Sequence, residues 1–214
     1  MDFKIFPKDF VEFIKNAYKK INENKDYVTE LDSVTGDGDH WVNINMGFEK
    51  LVELSNELEN LSFEEMFKKI GMTLMSGIWG SSGVLYGGAY IAASKVLVNK
   101  EFIDKNTLKD IFEAELNSMM NRGKSKPGDK TMIDSLYAAS QALNDNINND
   151  DIVATLNIVK EKAIDGALAT KDMEAVKGRA SYQTNKGVGH LDPGAITMSY
   201  QIEELVNLII SKIK

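Results

Sequence analysis

The chain has 214 residues, 25 Lys and Arg against 32 Asp and Glu, a formal net charge of −7 and no cysteine. The missing cysteine excludes a disulfide framework, a thiolate zinc site and a thiol nucleophile, and the acidic balance lacks the electrostatic footprint of a nucleic-acid binder. No run approaches the roughly 18 apolar residues of a membrane span, and nothing after Met1 reads as a secretory leader; the expectation is one soluble, cytoplasmic domain over residues 1–214.

Phe10, Phe13, Ile14, Ala17, Tyr18 and Ile21 form one apolar stripe at helical spacing. Pro7 suits the first turn of that helix, where a missing N–H costs nothing. Ile44, Phe48, Leu51, Leu54 and Leu58 repeat the pattern. Ser62 and Glu65 predict a capping box that opens a helix running towards Met75, with Leu61 and Met66 placed as its hydrophobic staple. Residues 84–98 are apolar and rich in Gly, Ala and Ser, as a helix packed closely on its neighbours requires. Leu108, Ile111, Phe112, Leu116 and Met119 mark another helix, which Gly123 is placed to end. Further helical stretches cover 131–147, 150–169 and 194–213, and the polar run 144–150 reads as an exposed turn. No segment sustains a period of two, so the expected fold is all-α with about eight helices.

Four segments refuse the helical pattern: 32–43, 76–88, 122–131 and 178–194. They hold both histidines (His40, His190), both arginines (Arg122, Arg179) and 13 of the 16 glycines. Of the 25 basic residues 23 are lysine, so two arginines confined to these segments point to a use of their rigid fork for carboxylate or phosphate, the alternative being chance placement in loops.

Asp32, Asp37 and Asp39 lie in a stretch where Gly36 and Gly38 let the chain curl and the carboxylates converge. Converged carboxylates call for a hard cation, and Mg²⁺ shared with phosphate oxygens suits them better than an EF-hand Ca²⁺. The competing reading is an aspartate helix cap beside a solvated acidic turn. Ser81-Ser82-Gly83, in a Gly/Ser stretch feeding a helix, offers free N–H groups to a phosphate, or else is a plain link between helices. Lys124, Lys126 and Lys130 read as a solvated face in preference to charge for a phosphate, and Asp129 and Asp192 as either turn and cap residues or charge at the site.

Taken together, Asp32…Gly36-Asp37-Gly38-Asp39-His40, Ser81-Ser82-Gly83…Leu85-Tyr86-Gly87, Lys126-Pro127-Gly128-Asp129-Lys130-Thr131-Met132 and Gly178-Arg179-Ala180-Ser181-Tyr182…Gly189-His190…Asp192-Pro193-Gly194 resemble the nucleotide-binding domain of dihydroxyacetone kinases. With nothing attached, the chain looks like the separate L subunit of the phosphoenolpyruvate-dependent type. The resemblance implies a barrel of antiparallel helices with ADP at one end. It implies two Mg²⁺ on Asp32, Asp37 and Asp39, His40 and Asn43 near the phosphates, Ser81, Ser82 and Gly83 as the phosphate loop, and Arg179 at the nucleotide. Leu85, Met132 and Pro193-Gly194 fall near the adenine, and no covalent catalytic residue is implied. It further implies that ADP/ATP stays bound as a coenzyme. A phosphohistidine M subunit of the phosphotransferase type recharges it, and the γ-phosphoryl passes to dihydroxyacetone on a separate K subunit, without nucleic acid or membrane. A paralogue acting on another short ketose or polyol, or drawing on free ATP, and a non-catalytic nucleotide-binding regulator are the alternatives. Trp41, Met46, Trp79, Val84 and Leu191 depart from the family pattern. Trp41 and Trp79 flank the phosphate-side motifs, where their rings either narrow the site or shut out water.

Overall fold

A computed structural model describes residues 3–213. Ten α-helices follow in chain order: α1 (Pro7–Glu23), α2 (Lys25–Thr35), α3 (His40–Glu53), α4 (Ser55–Leu58), α5 (Phe63–Gly77), α6 (Gly80–Ser94), α7 (Lys105–Gly123), α8 (Met132–Asp145), α9 (Ile152–Ala169) and α10 (Pro193–Lys212). Among the described residues there is no strand, only an isolated bridge between Ile5 and Ile103. None of their helices is long and apolar enough to cross a membrane.

The first stripe is buried as read: Phe10, Phe13, Ile14, Ala17 and Ile21 all face the core from α1. The capping box forms, with the Glu65 N–H donating to Ser62 Oγ and the Ser62 N–H donating back to the Glu65 carboxylate. The stripe expected from Ile44 to Leu58 breaks at Leu54 into α3 and α4. At the end of α7 the left-handed residue is Lys124, φ 47°, and Gly123 is the last helical one.

Two elements depart further from the expectation. Lys25–Thr35 is a helix, α2, whose inward side holds Val28, Asp32 and Thr35. A stripe that is two-thirds polar carries no apolar period, so the helix is invisible to it. α6 begins at Gly80, so Ser81, Ser82 and Gly83 form its first turn instead of a loop before it. Its small residues allow close packing: a Cβ on Gly87 would sit 2.5 Å from Gly71 O on α5.

Packing neighbours run α1–α3–α5–α6–α7–α8–α9–α10 and back to α1, a closed ring of helices. Inside it Phe10 contacts Phe67 with ring centroids 4.8 Å apart, and Phe67 contacts Tyr90 at 5.3 Å. The ring places the end of α2, the starts of α3, α6, α8 and α10, and residues 177–180 around one opening.

Candidate functional site

The carboxylate cluster is built by local chain geometry. Asp32 sits in the last turn of α2, 8% exposed, and its Oδ2 accepts the His40 N–H at 2.9 Å. It therefore caps α3 from across the loop, while Asp39, the residue at the cap position, makes no side-chain cap bond. Gly36 leaves room for the Asp32 carboxylate in this position, since a Cβ there would lie 2.3 Å from Asp32 Oδ1, and Gly38 turns the chain with φ +76°. The result is that one carboxylate oxygen from each of Asp32, Asp37 and Asp39 lies within 4.8 Å of the others.

Two ligands opposite one another on Mg²⁺ are about 4.2 Å apart, so this all-oxygen set fits a hard cation with small side-chain adjustment. The cluster also shows the strain a cation would relieve. The Asp39 carboxyl is held above its ordinary value, first by desolvation and then by the charge of Asp37. Asp37 is paired with the Arg179 guanidinium. His40 is held neutral by burial, which pushes it down to about 4, with the Asp32 charge offsetting only part. Its Nε2 lies 2.9 Å from Thr197 Oγ1 on α10.

The opening is a cleft of about 300 Å³, and every residue expected at the site lines it except Gly83. On one wall, Trp79 precedes α6 without capping it, so the first N–H groups of that helix, at Gly80, Ser81 and Ser82, are free for an anion. Leu85, Met132, Pro193 and Gly194 also line the cleft and offer apolar surface for a flat ring, with a Cβ on Gly194 only 3.6 Å from Met132 Cε. Gly83 is buried behind this wall. A Cβ on it would lie 2.1 Å from Ile78 O and 3.2 Å from Leu74 O, so it seats α6 on the end of α5. Gly83→Ala should therefore cost about 2–3 kcal/mol in urea unfolding; unchanged stability would mean that this close approach does not hold α6.

Several readings need correction. Arg122 does not reach the cleft; its side chain lies across Gly88, where a Cβ would meet Nε at 2.4 Å. The Trp41 indole N–H donates to Ile21 O at 3.0 Å, and Lys25 Nζ stands 4.8 Å over its ring. It packs on the α1–α2 turn and shields nothing in the cleft. Trp79 does line it, as a lip 72% exposed. Asp129 and Asp192 follow the turn and cap reading: Asp129 accepts from Lys126 N at 2.9 Å, and Asp192 from Ala195 N at 2.7 Å. Asp192 is also a cleft residue, raised to about 7 by burial despite the Ala195 N–H and Lys130.

The residue most misread is Lys130, which is 2% exposed and lines the cleft. Lys124 and Lys126 are exposed as expected. The available signal was its place between Asp129 and Asp134, two acids turned inward to hold the turn: Asp134 accepts from Gly128 N and Thr131 N.

A closed ring of helices with a carboxylate cluster and an open helix N-terminus at one end defines a class, and comparison names it: residues 34–207 match the DAK2 domain, and the chain belongs to that family. It is 36% identical to "PEP-dependent dihydroxyacetone kinase 1, ADP-binding subunit DhaL" of Listeria innocua, over 96% of this chain and 99% of that protein. It is 39% identical to "PTS-dependent dihydroxyacetone kinase, ADP-binding subunit DhaL" of Lactococcus lactis, over 93% of this chain and 96% of that one. In fold it is similar to the dihydroxyacetone kinase of C. freundii solved in complex with AMP-PNP and Mg²⁺, with a TM-score of 0.73 and 23% identity, over 92% of this chain and 33% of that chain.

Proposed function

We propose that the chain is the ADP/ATP-carrying subunit of a cytoplasmic, phosphoenolpyruvate-dependent dihydroxyacetone kinase, residues 1–214 serving as one nucleotide-binding domain. One observation carries this reading. The carboxylate cluster, the uncapped start of α6 and Arg179 converge on one cleft, in a chain whose near-full-length relatives are named ADP-binding DhaL subunits.

In this reading Asp32, Asp37 and Asp39 hold two Mg²⁺. Bound there, the metal supplies the charge neutralisation that phosphoryl transfer needs. The chain itself binds and orients. The α6 N–H groups and Arg179 take the phosphate oxygens, neutral His40 and Asn43 stand beside them, and Leu85, Met132 and Pro193-Gly194 receive the base. The phosphoryl group enters from a phosphohistidine M subunit of the phosphotransferase type onto ADP. It leaves from ATP to a hydroxyl of dihydroxyacetone on a separate K subunit, so no covalent carrier is required on this chain.

The test is a coupled assay with phosphoenolpyruvate, the general phosphotransferase proteins, both partner subunits and hexokinase plus glucose to consume free ATP. Protein-bound ADP should support many turnovers of triose phosphate despite the trap. Formation that stops when the trap is added would show that nucleotide exchanges with solvent, and the free-ATP reading would replace this one.

A further inference from the structure

Lys130 has a role that its surroundings define. Burying an ammonium is costly unless its donors are matched. Lys130 Nζ donates to two main-chain oxygens, those of Thr170 and His190. These carbonyls stand at the two ends of the segment 171–189. The same neck is closed by the Gly189 N–H donating to Lys171 O at 2.8 Å and by the Asp192 N–H donating to Thr170 Oγ1 at 3.0 Å.

The lysine stem is held as firmly as its head. Gly187 packs on it with φ +71°, so close that a Cβ there would sit 3.1 Å from Lys130 Cε. The Val176 N–H donates to Asp129 O at 3.2 Å, one residue before the lysine. Lys130 itself takes φ 61°, a left-handed conformation uncommon outside glycine, which the turn from Gly128 to Thr131 enforces. Burial pulls its ammonium below the ordinary lysine value, and the acidic neighbours Asp192, Asp172 and Asp134 offset only part of that.

The far side of the segment reaches the metal motif. Arg179 pairs with Asp37, and Gln183 Nε2 donates to Val34 O at 2.7 Å. We propose that Lys130 is a positioning residue: its buried ammonium fixes the neck of the 171–189 segment and so sets where Arg179 stands against the Asp32, Asp37 and Asp39 cluster. The role in nucleotide binding rests on the reading of the cleft given above. Lys130 acts through Arg179 and not by its own contact with phosphate.

The experiment is a double-mutant cycle on Mg·ADP binding by calorimetry, using the full chain with Lys130→Met, Arg179→Gln and the pair. Each single variant should bind about tenfold more weakly, and the pair no more weakly than either, because both remove the same contact. Amide exchange across 175–189 should accelerate in ligand-free Lys130→Met while α5 and α10 keep their protection. Effects that multiply to about a hundredfold in the pair, unchanged affinity in Lys130→Met, or unchanged exchange would each overturn the proposal. If the wild type does not bind Mg·ADP, the reading of the cleft fails, and exchange in the ligand-free protein still decides the tether. Should Lys130→Met not fold, Lys130→Gln, which keeps N–H donors on a shorter stem, takes its place.

Discussion

Asp37→Asn is expected to weaken Mg·ADP binding by about a hundredfold or more, close to 2.7 kcal/mol, and to leave the ligand-free protein as stable as before or slightly more so. Asp37 is the informative member of the cluster because its carboxylate is exposed and its ion pair is with an exposed Arg179. Such a pair contributes at most about 1 kcal/mol. Against that small loss stands relief of repulsion among three carboxylates within 4.8 Å of one another. Asp32 would be a poorer choice, since it also accepts the His40 N–H at the start of α3, and its loss would cost about 1 kcal/mol as a helix cap. The measurement is calorimetric titration with ADP in the presence and absence of Mg²⁺, beside urea unfolding of the ligand-free protein. Without Mg²⁺ the variant should bind ADP no more weakly than the wild type, since a charge that repels phosphate is gone and Arg179 is released. A variant that kept its Mg·ADP affinity would remove the metal assignment.

What could be read in the sequence was what the chain builds locally. The carboxylate cluster spans eight residues, and the glycines that let it curl lie inside it. The Ser62 capping box spans four, and the α1 face is a simple period. The misreadings have their causes elsewhere in the chain. α2 faces the cleft and so presents Asp32 and Thr35 where a core helix would show Leu or Ile. Gly80-Ser81-Ser82-Gly83 has weak helix propensity, yet α6 starts there because Gly83 must fit against Ile78 O. Lys130 is buried by carbonyls 40 and 60 residues away, and the acids beside it mark the turn but not those carbonyls. The place of Trp41 directly after His40 points to the phosphates, but on α3 its ring turns to Ile21 instead. Tertiary partners, not composition, decided each of these.

Glu115→Gln should stabilise the protein by on the order of 2–4 kcal/mol near pH 8.5 and have little effect near pH 4.5. Glu115, half-buried on α7, lines a largely apolar cavity of about 40 Å³ together with Phe10, Phe67, Tyr86, Tyr90 and Gln201. Burial raises its carboxyl from the ordinary 4.5 to about 8, and no positive group offsets the effect. The Gln201 amide, on the same cavity wall, donates instead to Tyr86 Oη and Thr197 O. The sign follows from proton binding. Between pH 4.5 and 8 the unfolded chain releases the Glu115 proton while the folded chain keeps it, so stability falls as pH rises through that window. Below it both states are protonated and the penalty vanishes; above it the penalty is complete. Every tenfold change in proton affinity between the two states is worth about 1.4 kcal/mol, and partial access of water to the side chain brings the total below the full product. Asp192, raised to about 7, gives the wild type a slope of the same sign, so the diagnostic quantity is the difference between variant and wild type in urea unfolding at several pH values. That difference should open with rising pH and level off above 8. A constant difference would mean that the glutamine alters packing or hydrogen bonding in the cavity, and that no ionisation is held back there.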